Sequence, residues 1–211
     1  MSNFSEMSAL ESLWTASLNC IGNNLRNNFE LVEPLLTLRG VLLKIIERDD
    51  RSKSYLVQMA HWSRKAGRFQ TASNAIFELK HTASANLSSD DFKWFLEEAK
   101  TLWAKGEKNK AIMMSKSLII DLEKDKNISE ALNQNTGSKS FFKKKPGKEL
   151  TEDTRQKVEL LAEALTISGR WLAQTRSESS HIIIEDYLKR AVKMFDECGR
   201  NKSKGNDTFP F

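Results

Sequence analysis

Apolar residues recur every three to four positions along almost the whole chain, the spacing of one face of an α-helix. Leu10, Leu13, Trp14 and Leu18 form a first stripe, preceded by Ser8 with Glu11 three residues on, the pattern of a capping box. A second helix is expected from Pro34, placed in its first turn, with Leu35, Leu38, Leu42 and Ile45 on the buried side. Leu56, Met59, Ala60 and Ser63 mark a third, which stops at "KAGR" where Gly67 suits the left-handed residue that ends a helix. A fourth runs from about Phe69 to Leu79. The polar "SSDD" caps a fifth, with Phe92, Phe95, Ala99, Leu102 and Trp103 on one side. After Gly106 come Ala111, Ile112, Ser115, Leu118, Ile119 and Leu122, then "DTRQKVELLAEALTISGRWLAQT" and "HIIIEDYLKRAVKMF". The pattern predicts about eight helices and no strand. Ile182, Ile183 and Ile184 are β-branched but share a helical frame with Tyr187, Leu188 and Ala191.

Two breaks share a layout. Gly67 is followed five residues later by Ala72, and Gly106 by Ala111, each pair between two helices. A small residue there lets antiparallel helices approach closely. This is the grammar of tetratricopeptide-like repeats, whose unit is about 34 residues. The two glycines are 39 positions apart, so the units are irregular. The expected fold is all-α: an α-solenoid of irregular tetratricopeptide-like helical hairpins. Helical repeats are expected over 1–125, a basic disordered loop over 126–148, a helical hairpin over 149–198 and a disordered tail over 199–211. The loop has no sustained period, and loops beyond about 15 residues are usually functional or disordered.

Composition fits an ordered chain, 39% hydrophobic and 29% charged, with only 3 prolines and 9 glycines. Charge adds more. The net +5 equals the five lysines Lys139, Lys143, Lys144, Lys145 and Lys148, which share the loop with no acid from Ala131 to Lys148. Outside it the chain is neutral. The loop reads as a solvated connection, a nuclear-import patch or a nucleic-acid contact. Phe141 and Phe142 allow base stacking. Phosphate binding needs several lysines held together, so direct nucleic-acid binding is not expected. Cys20 and Cys198 match no metal-ligand or redox spacing, which suits the nucleus or cytosol. The first residues lack a basic start followed by an apolar core, and no stretch is apolar enough to cross a membrane.

Candidate catalysts are few. His61, His81 and His181 sit within or at the ends of expected helices and accompany no hydrolase, zinc or kinase motif. Glu97 and Glu98, like Glu185 and Asp186, are adjacent in sequence and point about 100° apart on a helix, which suits solvated surface. The five tryptophans lie on or beside apolar stripes. No catalytic residue, cofactor or metal is expected.

Three stretches carry more than periodicity: "EPLLTLRGVLLKII" (Glu33–Ile46), "FLEEAKTLWAKGEKNKAI" (Phe95–Ile112) and Gly169–Val192. The last has the pattern G-x-W-L-A-x-T-x-x-E and then Y-L-x-x-A-V. It is carried by Gly169, Trp171, Leu172, Ala173, Thr175, Glu178, Tyr187, Leu188, Ala191 and Val192. Together with "SRKAGRFQTASNAIFELK", these stretches resemble the FAT region of the ataxia-telangiectasia mutated (ATM) family of phosphatidylinositol-3-kinase-related kinases. The resemblance implies a segment of a very large nuclear serine/threonine kinase that signals DNA double-strand breaks. FAT helices of that family hold no catalytic residues; they clamp and support the kinase domain and contribute to regulation and dimerisation. The expected partners are therefore the kinase domain and neighbouring helices of a parent protein, and a second copy in a homodimer. The expected location is the nucleus, with the cytoplasm as the alternative. In this reading Gly169 permits a bend or a close helix contact, Trp171 and Leu172 supply core, and Tyr187, Leu188, Ala191 and Val192 form the facing stripe. The loop is longer and more basic than the resemblance implies, and "CGRNKSKGNDTFPF" departs from it; an early stop or an alternative transcript would account for such an end. The rival reading is a free-standing tetratricopeptide-like adaptor for protein partners.

Overall fold

The computed structural model describes residues 29–45, 49–82, 89–125 and 151–195, with the single positions Ala16 and Ile128. Among them there are seven helices and no strand, against about eight helices expected. The first expected helix, around Leu10–Leu18, lies outside the described residues, as do the tail and, apart from Ile128, the basic loop. The chain is all-α and divides into two units, Met1–Ala83 and Ser84–Phe211.

In the first unit, α1 (Phe29–Ile45) packs on α2 (Asp49–Lys65), which packs on α3 (Phe69–Thr82). The buried face of α1 is Phe29, Val32, Leu36 and Leu43, while Leu38 and Leu42 of the expected stripe point to solvent. Both faces of α1 are apolar, so periodicity could not tell which one faces the neighbouring helix. Pro34 sits inside the helix, not in its first turn. With no N–H it cannot donate to the carbonyl four residues back. Gly40 is needed here, because a methyl group at that position would lie 2.5 Å from the Tyr55 ring. In α2 the expected Leu56, Met59, Ala60 and Ser63 are all buried.

The second unit holds α4 (Ser89–Ala104), α5 (Lys108–Glu123), α6 (Glu152–Thr175) and α7 (180–195). Its first turn closes with the same two bonds as that of the α2–α3 hairpin. Gly67 N–H donates to Arg64 and Arg68 N–H to Ser63, as Gly106 N–H donates to Trp103 and Glu107 N–H to Leu102. Both glycines have left-handed φ, +74° and +90°. Ala72 and Ala111, the small residues five positions on, are fully buried. Helices α4 and α6 run parallel: Lys93 donates to Gln156 and Lys100 to Glu163, the same offset of 63 residues at both ties. Lys116 of α5 reaches Glu178, just before α7, and Glu123 of α5 pairs with Arg190 of α7. One apolar cluster joins Leu96, Leu118 and Leu122 to Val158, Leu161 and Leu165. Ile128 is fully buried in it, although it falls in the stretch expected to be disordered.

Candidate functional site

The stretch with the most distinctive sequence, Gly169–Val192, spans the end of α6, a turn and most of α7. Thr151 opens α6 by accepting from the Thr154 N–H at 3.3 Å, with Glu152 and Asp153 in the first turn against the positive end of the helix. The helix closes at Arg176, whose φ of +52° takes the role that Gly67 and Gly106 play in the other hairpins. Arg176 N–H donates to Ala173 and Ser177 N–H to Leu172, the same two-bond closure. Thr175 Oγ1 donates to the Trp171 carbonyl at 2.9 Å and lies 2.6 Å from Ser177 Oγ. Ser179 then caps α7 by accepting from the Ile182 N–H.

Helix α7 is not α-helical throughout. Ile183–Leu188 is π-helical, with Lys189 N–H donating to the Ile184 carbonyl five residues back. This wide turn lies against Gly169, where a methyl group would meet Leu188 Cδ2 at 3.1 Å and Tyr187 Cβ at 3.2 Å. At Gly169, α7 thus approaches α6 closely enough that a side chain would crowd it. Trp171 and Leu172 are buried with Ala99, Ala111, Ile112 and Ile183, and the Trp171 ring stacks on Trp103. Lys108 covers the Trp103 ring at 5.5 Å. Tyr187 is half-buried and touches both apolar clusters. Ala191 and Met194 complete the inner face.

The expected facing stripe is only half realised. Val192 is 60% exposed and Leu188 37%, and they form a second apolar row with Ile184 and Phe195. The two rows lie side by side on α7; the inner one packs on α6 and α5, and of the outer one Leu188 reaches Gly169 of α6. Ala173 is exposed, so it serves neither row. Glu178 pairs with Lys116 at 3.3 Å, a cross-link between the turn and α5.

The acidic pairs separate. Glu185 and Asp186 lie on the surface, as expected, but Glu97 is buried and accepts from Lys100 at 3.0 Å. Lys100 continues to Glu163 on α6. The expectation of solvated surface fails at Glu97, whose carboxylate is buried against Lys100 of its own helix, a cation that it shares with Glu163 of α6. Lys157, also unanticipated, is buried with Nζ 2.9 Å from Asp125 and 3.0 Å from Asp153. Burial alone would lower its pKa, but the two hydrogen-bonded carboxylates hold it above the usual lysine range. A lysine four residues after an aspartate in a helix was the available signal; Asp125, 32 positions away, gave none.

His61 lies 3.3 Å from Arg64, His81 packs edge-on to Phe77 at 4.4 Å, and His181 is exposed in the first turn of α7. Among the described residues no group of His, Cys, Asp or Glu could hold a metal ion. None of the helices among these residues is long and apolar enough to cross a membrane. Lys139, Lys143, Lys144, Lys145 and Lys148 lie outside the described residues, as do Cys20 and Cys198. The arrangement can therefore bury surface, fix helices and present apolar faces.

Comparison with known proteins agrees with that character. A family model described as the FAT domain matches residues 2–201. Over 192 residues the chain is 28% identical to the serine-protein kinase ATM of Sus scrofa, covering 86% of this chain and 5% of that protein. Over 182 residues it is 25% identical to the serine/threonine-protein kinase ATM of Arabidopsis thaliana, covering 85% of this chain and 4% of that protein. The chain thus spans at most 5% of the length of these curated relatives, and the matched segment is not a kinase domain.

Proposed function

The chain belongs to the FAT domain family, and from that premise we propose that it is a non-catalytic helical scaffold segment of an ATM-like serine/threonine kinase. Its work in the full-length protein is to support and regulate the kinase domain in DNA double-strand-break signalling and repair, in the nucleus. Its contacts are the kinase domain and the neighbouring helices of the parent, with dimerisation as a further role.

One observation carries this reading: the most distinctive residues of the sequence are spent on joining helices, while in each unit a helix keeps an exposed apolar face. Gly169, Trp171 and Leu172 are consumed by the α6–α7 and α6–α4 contacts. Yet Ile184, Leu188, Val192 and Phe195 on α7, and Leu31, Leu38, Val41 and Leu42 on α1, remain exposed. Exposed apolar rows of this kind mark surfaces that meet further protein.

The test pairs circular dichroism and sedimentation of the purified chain with an ATP-turnover assay. The scaffold reading expects high helicity, concentration-dependent association and no turnover. Turnover that tracks the protein through a mutation series would overturn it. A strictly monomeric chain with cooperative unfolding would favour the second reading, a free-standing adaptor. That reading draws on the matching turns at Gly67 and Gly106, which suit a tetratricopeptide-like array.

A further inference from the structure

We propose that Lys157 is a clasp that closes the second unit across the α5–α6 connection, so that the α4–α5 and α6–α7 pairs stay assembled when the chain between them is cut. Asp125 lies just after α5, and Asp153 lies in the first turn of α6. Both carboxylates bond one ammonium, at 2.9 Å and 3.0 Å, and the Phe92 ring of α4 flanks it at 6.0 Å. Three separate pieces of the unit therefore meet at one buried cation. One carboxylate oxygen from the end where the connection leaves and one from the end where it returns are thus held on the same ammonium.

Among the described residues the unit is held chiefly by contacts between its helix pairs. The apolar cluster draws Leu118 and Leu122 from α5, Ile128 from the connection itself, and Val158, Leu161 and Leu165 from α6. The ties from Lys100 to Glu163 and from Glu123 to Arg190 set the register of the two helix pairs independently. Covalent linkage then contributes mainly effective concentration, which falls only slowly with the length of the tether. The clasp adds a charge-assisted contact at the base, where a cut chain would otherwise begin to fray.

The experiment inserts a site-specific protease sequence between Ser138 and Lys139 of the full chain, cuts it, and follows the pieces by gel filtration and circular dichroism. The two pieces are expected to co-elute with the helicity of the uncut protein. Lys157→Met is the second variant, made both cut and uncut. It should leave the uncut chain helical but weaken the association of the cut pieces about tenfold on dilution. Separation of the pieces from the unsubstituted chain overturns the proposal. Association that Lys157→Met leaves unchanged overturns the role of the clasp.

Discussion

Trp103 on α4 and Trp171 on α6 stack with their ring centroids 4.6 Å apart and their planes 6° from parallel. The pair ties two helices that are not neighbours in sequence, beside the two turns that end them. Trp171 is buried and Trp103 half-buried, so truncating them should cost unequal amounts. Trp171→Ala is expected to lose about 3–5 kcal/mol, in the range for large aromatics in cores. Trp103→Ala should lose less, since water already reaches part of that ring. Urea unfolding of both single variants and the double variant checks this, with a coupling of about 0.5–1.5 kcal/mol expected for the ring contact.

The three helix closures at Gly67, Gly106 and Arg176 use the same left-handed residue, but only the third has a side chain there. A non-glycine residue in that region is strained. Arg176→Gly should therefore stabilise the protein by up to about 1 kcal/mol, despite the added freedom of the unfolded chain. Gly67→Ala and Gly106→Ala should each destabilise by about 1 kcal/mol. Thermal melts of the three variants would show opposite signs, and a loss of stability in Arg176→Gly would refute the common closure.

Two further glycines act by proximity. A methyl group at Gly40 would overlap two ring atoms and the hydroxyl oxygen of Tyr55 at 2.5–2.6 Å, whereas at Gly169 the nearest atoms are 3.1–3.2 Å away. Rings cannot yield as readily as the end of a leucine, so Gly40→Ala should cost more than Gly169→Ala. Overpacking sets the scale at about 1–3 kcal/mol. At Gly169 the cost should come with a change in the π-helical turn, because Tyr187 Cβ moves only if its backbone moves. Amide exchange at Ile183–Leu188 reports that change, and unaltered exchange there in Gly169→Ala would count against the close approach.

How far the sequence reached can be judged at these same residues. The helices, their glycine stops and the small residues Ala72 and Ala111 were legible, because helix period and the left-handed stop are local properties of the chain. The family was legible too, from Gly169, Trp171 and the residues that follow. The buried side of α1 was not, because both its faces are apolar and the choice lies with α2. Nor was the exposure of Val192, since the period marks both apolar rows of α7 and says nothing about which one finds a neighbour. Glu97 has its partner Lys100 three residues on, a spacing that does not report burial, and the burial of Lys157 involves Asp125, 32 positions away. The loop lysines have no periodic or pairing signal, and they lie outside the described residues.

The Lys157 clasp has a pH signature. Its pKa in the folded chain is held above the ordinary value by Asp125 and Asp153, against the opposing effect of burial. The stabilisation is therefore complete below the unfolded pKa of about 10.4 and is lost as pH rises through the folded value. Tyr55, pushed up chiefly by burial, sends stability in the same direction. Only the difference between the native chain and Lys157→Met isolates the clasp. That difference should be constant from about pH 7 to 9 and shrink above about pH 10.5 in urea titrations. A difference that grows with pH in that window would contradict the ion pairs.

The outer row of α7 separates folding from association. Ile184, Leu188, Val192 and Phe195 are exposed, whereas Ala191 and Met194 on the adjacent row are buried. A charge on the outer row removes apolar surface from water without opening the core, so Val192→Asp should change stability by no more than about 0.5 kcal/mol. A charge on the inner row must be buried without a counter-charge, so Ala191→Asp should cost several kcal/mol or prevent folding. Exposed apolar rows also promote self-association, so Val192→Asp should move the chain towards monomer in sedimentation while its circular dichroism stays unchanged. If Val192→Asp instead melted the helix, Val192 would have to be packed in solution, and the face available to a partner would lie elsewhere on the chain.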